Sequence, residues 1–314
     1  MLAMKVLVSG VLLYLIVLKI DWSQFASTVK KGNILYLSYG MLFGVIFNMI
    51  KFLRWHNLIK TENSVYTFWD ASKSYMLGNS LGLVTPLRAG DLGRALYFIK
   101  DERPKIMGLT IIDRIMDITA VLTLSIGGSF YLINRGFGIL VVLLAILSIC
   151  VLYSHKLLWI FLKKIIGDGP IWQKVGKLID MLKNLDPKTV STALILSFLA
   201  FISVLFQFYY LVSAFEGTTL LAVCLVTPLI TLSSIIPVSF MGLGVREGIS
   251  IVLFSAFGIT GATALSVAFL GFAMNNVFIS IIGIVFLSES FLVKKNELTR
   301  LRSLRGQKNL EQVD

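Results

Sequence analysis

Eight ionisable residues stand inside apolar stretches of this chain. Arg88, Asp91 and Arg94 fall in one, Asp113, Arg114 and Asp117 in the next, and Arg246 and Glu247 in a third. A charge at bilayer depth costs about 2.5–3.5 kcal/mol on insertion scales, so such residues must face one another, a water-filled cavity or a ligand. Their spacing narrows the chemistry. Arg114 and Asp117 are three apart and share a helix face, as do Asp113 and Asp117 four apart. Two stacked carboxylates repel unless a cation intervenes, and Arg88, Arg94 or Arg246 is the expected provider. Arg94 follows Asp91 by three and is expected beside it. Helix segments starting near Gly90 and Gly244 would add inward-facing backbone N–H groups. Arginine with open helix ends is a receptor for phosphate or phosphodiester, and among greasy helices it suits a lipid headgroup. The bland alternative is a structural ion-pair network that braces broken helices.

The elements that position these charges follow from composition. The chain has 314 residues, 56% hydrophobic and 15% charged, and a mean hydropathy of +0.84. Soluble domains carry about 25% charged residues, so a cytosolic enzyme or nucleic-acid module is excluded. Lys and Arg number 29 against 17 acidic residues, a net charge of +12. In so apolar a chain that surplus points to anionic lipid and cytoplasmic loops, and no nucleic-acid partner is expected. Two cysteines, Cys150 and Cys224, are no disulfide framework and are expected as small buried hydrophobes. No cofactor or metal is expected, since no phosphate-binding loop, dinucleotide fingerprint or histidine-rich run is present.

Crossing about 30 Å of hydrocarbon takes about 20 helical residues. Six windows meet this test: 2–20, 34–53, 106–133, 137–154, 189–213 and 262–288. The first lacks a cleavage-site pattern and is expected to stay as an anchor. Regions 71–99 and 218–258 are broken by Pro, Gly and charge, and read as hairpins, either re-entrant or two tilted spans. The fold class expected is therefore an all-α polytopic membrane protein with six full spans and two broken-helix hairpins of opposite orientation. Residues 1–290 form a single transmembrane domain and 291–314 a basic cytoplasmic tail. Segment 155–188, with seven lysines, reads as cytoplasmic amphipathic helices. Lys51, Arg54 and Lys60 mark the turn after the second span as cytoplasmic, and both termini are expected inside a plasma membrane. Helix, hairpin and helix recur in 34–133 and 189–288, which suggests an inverted repeat, a transporter architecture.

Smaller features have quieter readings. Trp22, Trp55, Trp69, Trp159 and Trp172 fall at span ends or loops, as an interfacial belt requires. Gly78, Gly82, Gly127 and Gly128 read as close-packing surfaces. Phe206, Phe208, Tyr209 and Tyr210 read as packing or lipid contact. Asn275 and Asn276 are expected to bond across to the second hairpin, as glue or as part of a site.

Three separated motifs occur in order: Gly78-Asn79-Ser80 through Thr85-Pro86-Leu87-Arg88-Ala89-Gly90-Asp91-Leu92-Gly93-Arg94, then Asp113-Arg114-Ile115-Met116-Asp117, then Pro237 through Gly242-Leu243-Gly244-Val245-Arg246-Glu247-Gly248. Together with Arg54-Trp55 they resemble the lysylphosphatidylglycerol synthase transmembrane region, a flippase-like membrane domain family, over residues 5–290. The resemblance implies that Arg88, Asp91, Arg94, Asp113, Arg114, Asp117, Arg246 and Glu247 line a lipid-handling cavity. Asp113 stands where the family often has Glu. Only about 24 residues follow Ser290, so lipid aminoacylation by this chain is not expected, and a separately encoded synthase becomes an expected partner. The leading expectation is a flippase for a lipid with a phosphate-bearing headgroup, with a proton or sodium as coupling ion. The competing ones are an enzyme acting on a polyprenyl-phosphate or glycolipid, with Asp113, Asp117 or Glu247 as general base, and a non-catalytic envelope-assembly partner.

Overall fold

The computed structural model describes residue 30 and residues 32–62, 64–98, 100–153, 185–235 and 245–286. The expected span 2–20, most of segment 155–188, the break at 236–244 and the tail 291–314 lie outside them. Among the described residues the elements are helical. They are α1 (Ile34–Ile59), α2 (Phe68–Val84), a 3-10 helix (Pro86–Tyr97), α3 (Arg103–Gly128), α4 (Arg135–Tyr153), α5 (Pro187–Ser213), α6 (Leu220–Ile235), α7 (Val245–Ser255) and α8 (Gly261–Phe272). A π-helical turn extends α3 through Ser129–Ile133 and another, Ala273–Val277, extends α8.

Local sequence sets the ends. Thr67 and Asp70 form a reciprocal capping box at the start of α2. Asp186 caps α5 ahead of Pro187, and Asn33 caps α1 while its own N–H donates to Ala214 O at the far end of α5. That bond sets α1 and α5 side by side and antiparallel. Tyr210 stacks on Tyr36 and Phe43 and packs tilted against Tyr39, and Phe206 stacks on Phe43, which seals the α1–α5 seam.

Among the described residues four helices are long and apolar enough to cross a membrane: α1, α4, α5 and Gly261–Phe286, the helical run begun by α8. The expected span 106–133 is helical throughout with its π turn, yet it carries the charged motif and is not apolar in the same sense. The outer faces fit a lipid solvent. Ile139, Leu140, Leu143, Ile146 and Leu147 on α4 and Met41, Leu42 and Val45 on α1 are exposed. Cys150 shares that outer face of α4 and is exposed, and Cys224 is half-buried. The expectation that both are buried is thus corrected, because α4 packs by one face only.

Lipid is as apolar as leucine, so helices in it associate through close backbone approach and polar contacts. Both are present. A Cβ on Gly78 or Gly82 would meet Arg94 or Asp91, and one on Gly128 would meet the Leu225 carbonyl, whereas Gly127 has only an ordinary contact at 3.5 Å. Gly90 lies against the Leu81 backbone, where no side chain fits, and so lets the 3-10 helix press onto α2. Ser80 donates to Ser280 O (2.6 Å), and Asn79 to Ser280 Oγ (3.0 Å) and Asn276 O (3.1 Å), tying α2 to the last helix.

At the turn between α5 and α6, Glu216 accepts from the Thr260 N–H (3.0 Å), the Thr260 hydroxyl and the Thr263 hydroxyl (2.7 Å), and so fastens the start of α8. Desolvation acts against ionisation, but these three donors hold its carboxyl below its ordinary value of 4.5. A depressed carboxylate contributes stability above its unfolded-state value and loses it as pH falls through the folded one. The thermal midpoint of the wild type in detergent should therefore exceed that of Glu216→Gln above about pH 4.5. That gap should close on acidification.

Candidate functional site: a buried charge network beside an apolar cavity

The site begins on α1. Residues 51, 54, 55 and 58 recur at helical spacing, and Lys51, Arg54, Trp55 and Leu58 are all buried. Lys51 and Arg54 are therefore not markers of a cytoplasmic turn. The helix runs on to Ile59, which carries both cations into the interior and leaves Lys60 as the exposed one. Trp55 is likewise no interfacial residue: it is fully buried, donates to Ser74 Oγ (3.2 Å) and lies under the Arg94 guanidinium. Trp69 is exposed, as expected.

Asp113 and Asp117 project from one face of α3, and the cations between them come from α1 and the 3-10 helix. Asp113 binds Arg54 at 2.5 Å and Arg94 at 2.8 Å. Asp117 binds Arg54 at 2.5 Å and pairs with Lys51, and Arg114 Nη1 stands 3.8 Å away. Arg54 also donates to Ser197 on α5 (2.6 Å). Arg94 lies over the rings of Trp55 and Tyr75, 4.6 and 4.1 Å from its centre. The cation that stands between the two carboxylates is thus Arg54; of the three arginines expected there, Arg94 reaches Asp113 alone, and Arg88 and Arg246 reach neither. Arg94 is also not the partner of Asp91. Asp91 pairs instead with Arg114 and, at 3.3 Å, with Arg88. The reason is geometric: a 3-10 helix places residues three apart on one edge, and here that edge meets two consecutive residues of α3, Asp113 taking Arg94 and Arg114 taking Asp91.

Arg88 has an unusual setting. Its φ of +53° is the one left-handed non-glycine conformation among the described residues, a strained state that clusters at functional sites. Its Nη2 donates to Asn79 Oδ1 at 2.6 Å and its Nη1 to Asn276 Oδ1 at 3.4 Å. Asn276 and Asn275 sit on the π turn of the last helix, where Asn275 and Gln207 exchange amide hydrogen bonds at 2.7 and 3.1 Å. Among the described residues the two asparagines thus bond to the first hairpin and to α5, and not to the second hairpin as expected. The inward donor expected at Gly90 is also committed, since its N–H reaches Thr85 Oγ1 at 2.6 Å. Gly244 lies outside the described residues.

A cavity of about 530 Å³ adjoins the network. Lys51, Arg88, Asp91, Arg114, Asp117 and Arg246 line it, with Asn79, Asn275 and Asn276 beside them and Phe47, Phe201, Phe208, Ile230 and Phe272 as apolar wall. Phe208 and Ile230 belong to one buried apolar cluster and Tyr75 to a second, so the space opens between two cores. Arg94 and Asp113 stand behind the wall. Arg246 reaches the cavity from α7 but pairs with its neighbour Glu247 and lies 4.4 Å from the Phe272 ring. Six of the eight expected residues form one network and Arg246–Glu247 a separate pair. Lys51, Arg54 and Gln207 were missed. The spacing of 51, 54, 55 and 58 was the available signal for the first two. Among the described residues, Lys51, Arg54, Arg88, Arg94 and Arg114 face Asp91, Asp113 and Asp117, five cations to three carboxylates.

Apolar helices with lipid-facing exteriors around a buried charged cavity define an integral membrane protein. The chain belongs to the lysylphosphatidylglycerol synthase TM region family, whose profile matches residues 2–283. It is a membrane protein of lipid metabolism or transport. No curated protein and no solved structure gives a significant match.

Proposed function

We propose that the protein moves a lipid with a phosphate-bearing headgroup from one leaflet to the other. The observation that carries this is the surplus of cations over carboxylates at the edge of a cavity whose other walls are apolar. A phosphate would meet Arg88, Arg114 and Lys51, while acyl or prenyl chains stay among the apolar helices. Arg94, Asp113 and Asp117 set those cations in place, Asp91 orients Arg88 and Arg114, and Arg246 with Glu247 serves the opposite side.

The hairpin of α2 and the 3-10 helix and the hairpin of α6 and α7 would gate access alternately. Each is preceded by a long helix, α1 or α5, and followed by one that carries a π turn. This repeated order supports the inverted repeat within a single transmembrane domain of six full spans, with both termini cytoplasmic in a plasma membrane. A proton or sodium ion could supply the driving force, and a separately encoded synthase the lipid. Transport is favoured over chemistry on the lipid because Asp113 and Asp117 each contact two cations. A carboxylate so held is a weak general base.

Protein reconstituted in vesicles with chain-labelled fluorescent phospholipids or polyprenyl phosphate should make inner-leaflet probe accessible to an external quencher faster than in protein-free vesicles. Mass spectrometry should recover the lipid unchanged. Absence of exchange for every one of these lipids, with protein that elutes as a folded species, would overturn the proposal.

A further inference from the structure

We infer that the headgroup this cavity selects carries two negative charges on phosphate, as a terminal phosphomonoester does, in preference to the single charge of a phosphodiester. The inference rests on the lipid-transport proposal and specifies its substrate class.

The charge balance is the starting point. At the cavity wall Lys51, Arg88 and Arg114 stand against Asp91 and Asp117, an excess of one. Behind it Arg54 and Arg94 stand against Asp113, an excess of one more. Arg246 and Glu247 cancel. Among the described residues two charges are thus left uncompensated, which is costly in a site of low dielectric, and a dianion removes both.

How the surplus is held points the same way. Neutral groups fix the cations where further carboxylates would have cancelled them. Both terminal nitrogens of Arg88 are oriented by the side-chain amides of Asn79 and Asn276. Arg94 stands over the Trp55 and Tyr75 rings, and Lys51 over the Phe47 and Phe201 rings at 5.3 and 4.7 Å. Amides and ring faces direct a cation while leaving its charge in force. The Nε atoms of Arg114 and Arg246, both on the cavity wall, have no hydrogen-bond partner among the described residues. Arginines gathered at one space, here Arg88, Arg114 and Arg246, favour a phosphate with three free oxygens over one esterified twice. A free phosphate ion shares this chemistry. The apolar remainder of the wall, with Phe208, Ile230 and Phe272, favours a lipid as its source.

The test compares chain-labelled phosphatidic acid, phosphatidylglycerol and phosphatidylcholine in otherwise identical vesicles at about pH 7, above the second phosphate ionisation at about 6. Phosphatidic acid should exchange faster than phosphatidylglycerol by on the order of tenfold, the scale of one charge-assisted hydrogen bond, and phosphatidylcholine should be slowest. Asn276→Asp is isosteric and places a carboxylate where Arg88 already donates. It removes one excess charge and should shift preference toward phosphatidylglycerol by a similar factor. Arg88→Gln, at a side chain 30% exposed, should shift it the same way, which a merely structural role would not do. Equal or faster movement of phosphatidylglycerol in the wild type overturns the inference and leaves lipid transport standing. If no lipid moves while millimolar inorganic phosphate raises the thermal midpoint, the dianion is a free ion, and the lipid assignment falls. If no lipid moves and phosphate has no effect, the transport proposal falls with it.

Discussion

Asp113→Asn is expected to cost about 3–5 kcal/mol of stability, because it strips the charge from a fully buried carboxylate, leaves the Arg94 guanidinium without its carboxylate and leaves Arg54 with Asp117 alone. Asp113 has no exposed surface, and its two oxygens are divided between Arg54 at 2.5 Å and Arg94 at 2.8 Å. An asparagine can accept one hydrogen bond from the same place, but its amide nitrogen would face a donor. The excess of cations would also rise by one. Unfolding of the purified protein in mixed micelles against denaturant measures the effect, read beside the wild type. Pairing the change with Arg94→Met is the control that separates charge from packing. Removing both partners should recover part of the loss, with a coupling of about 0.5–3 kcal/mol for groups in direct contact. Independent, additive losses would show that Asp113 acts by shape alone.

Arg114→Gln should instead spare most of the stability and lower lipid exchange by about 10–100-fold, the range of a lost charge-assisted hydrogen bond of about 1.5–3 kcal/mol. Arg114 lines the cavity with its side chain 29% exposed. Asp91, its partner, keeps Arg88 at 3.3 Å, and Asp117 keeps Lys51 and Arg54. No carboxylate is stranded. Exchange rates in vesicles, normalised to the amount of folded protein incorporated, give the result. A variant with unaltered exchange would remove Arg114 from the lipid path. Arg114→Lys should restore part of the rate, since a point charge replaces the bidentate fork but not its geometry.

The contrast between these two variants reflects what could be read from sequence. Charged residues in apolar stretches are conspicuous because each needs a partner, and all eight were legible from that alone. Which partner each takes was not legible. Arg94 follows Asp91 by three, yet the 3-10 helix presses against α3 in a way that gives Arg94 to Asp113 and Asp91 to Arg114. Lys51 and Arg54 misled for a related reason. A basic residue near the end of an apolar run has the same appearance whether the helix stops there or continues inward. It continues, to Ile59, and the apolar spacing of Trp55 and Leu58 was the sign.

The sequence by itself determined the solvent of this protein and the places where that solvent is violated. Apolar runs of spanning length, a cationic surplus at their ends and a few intramembrane charges follow from composition and order, because hydrocarbon tolerates no unpaired polar group. Only the tertiary structure decided that α1 supplies two of the central cations. It also decided that amides of the last helix orient Arg88, and that the network opens onto a cavity between two apolar cores. Those outcomes depend on which helix faces meet, and that is set by close contacts such as Gly90 on the Leu81 backbone. Spacing along one helix reports the face a residue occupies; what that face meets is a property of the packed bundle.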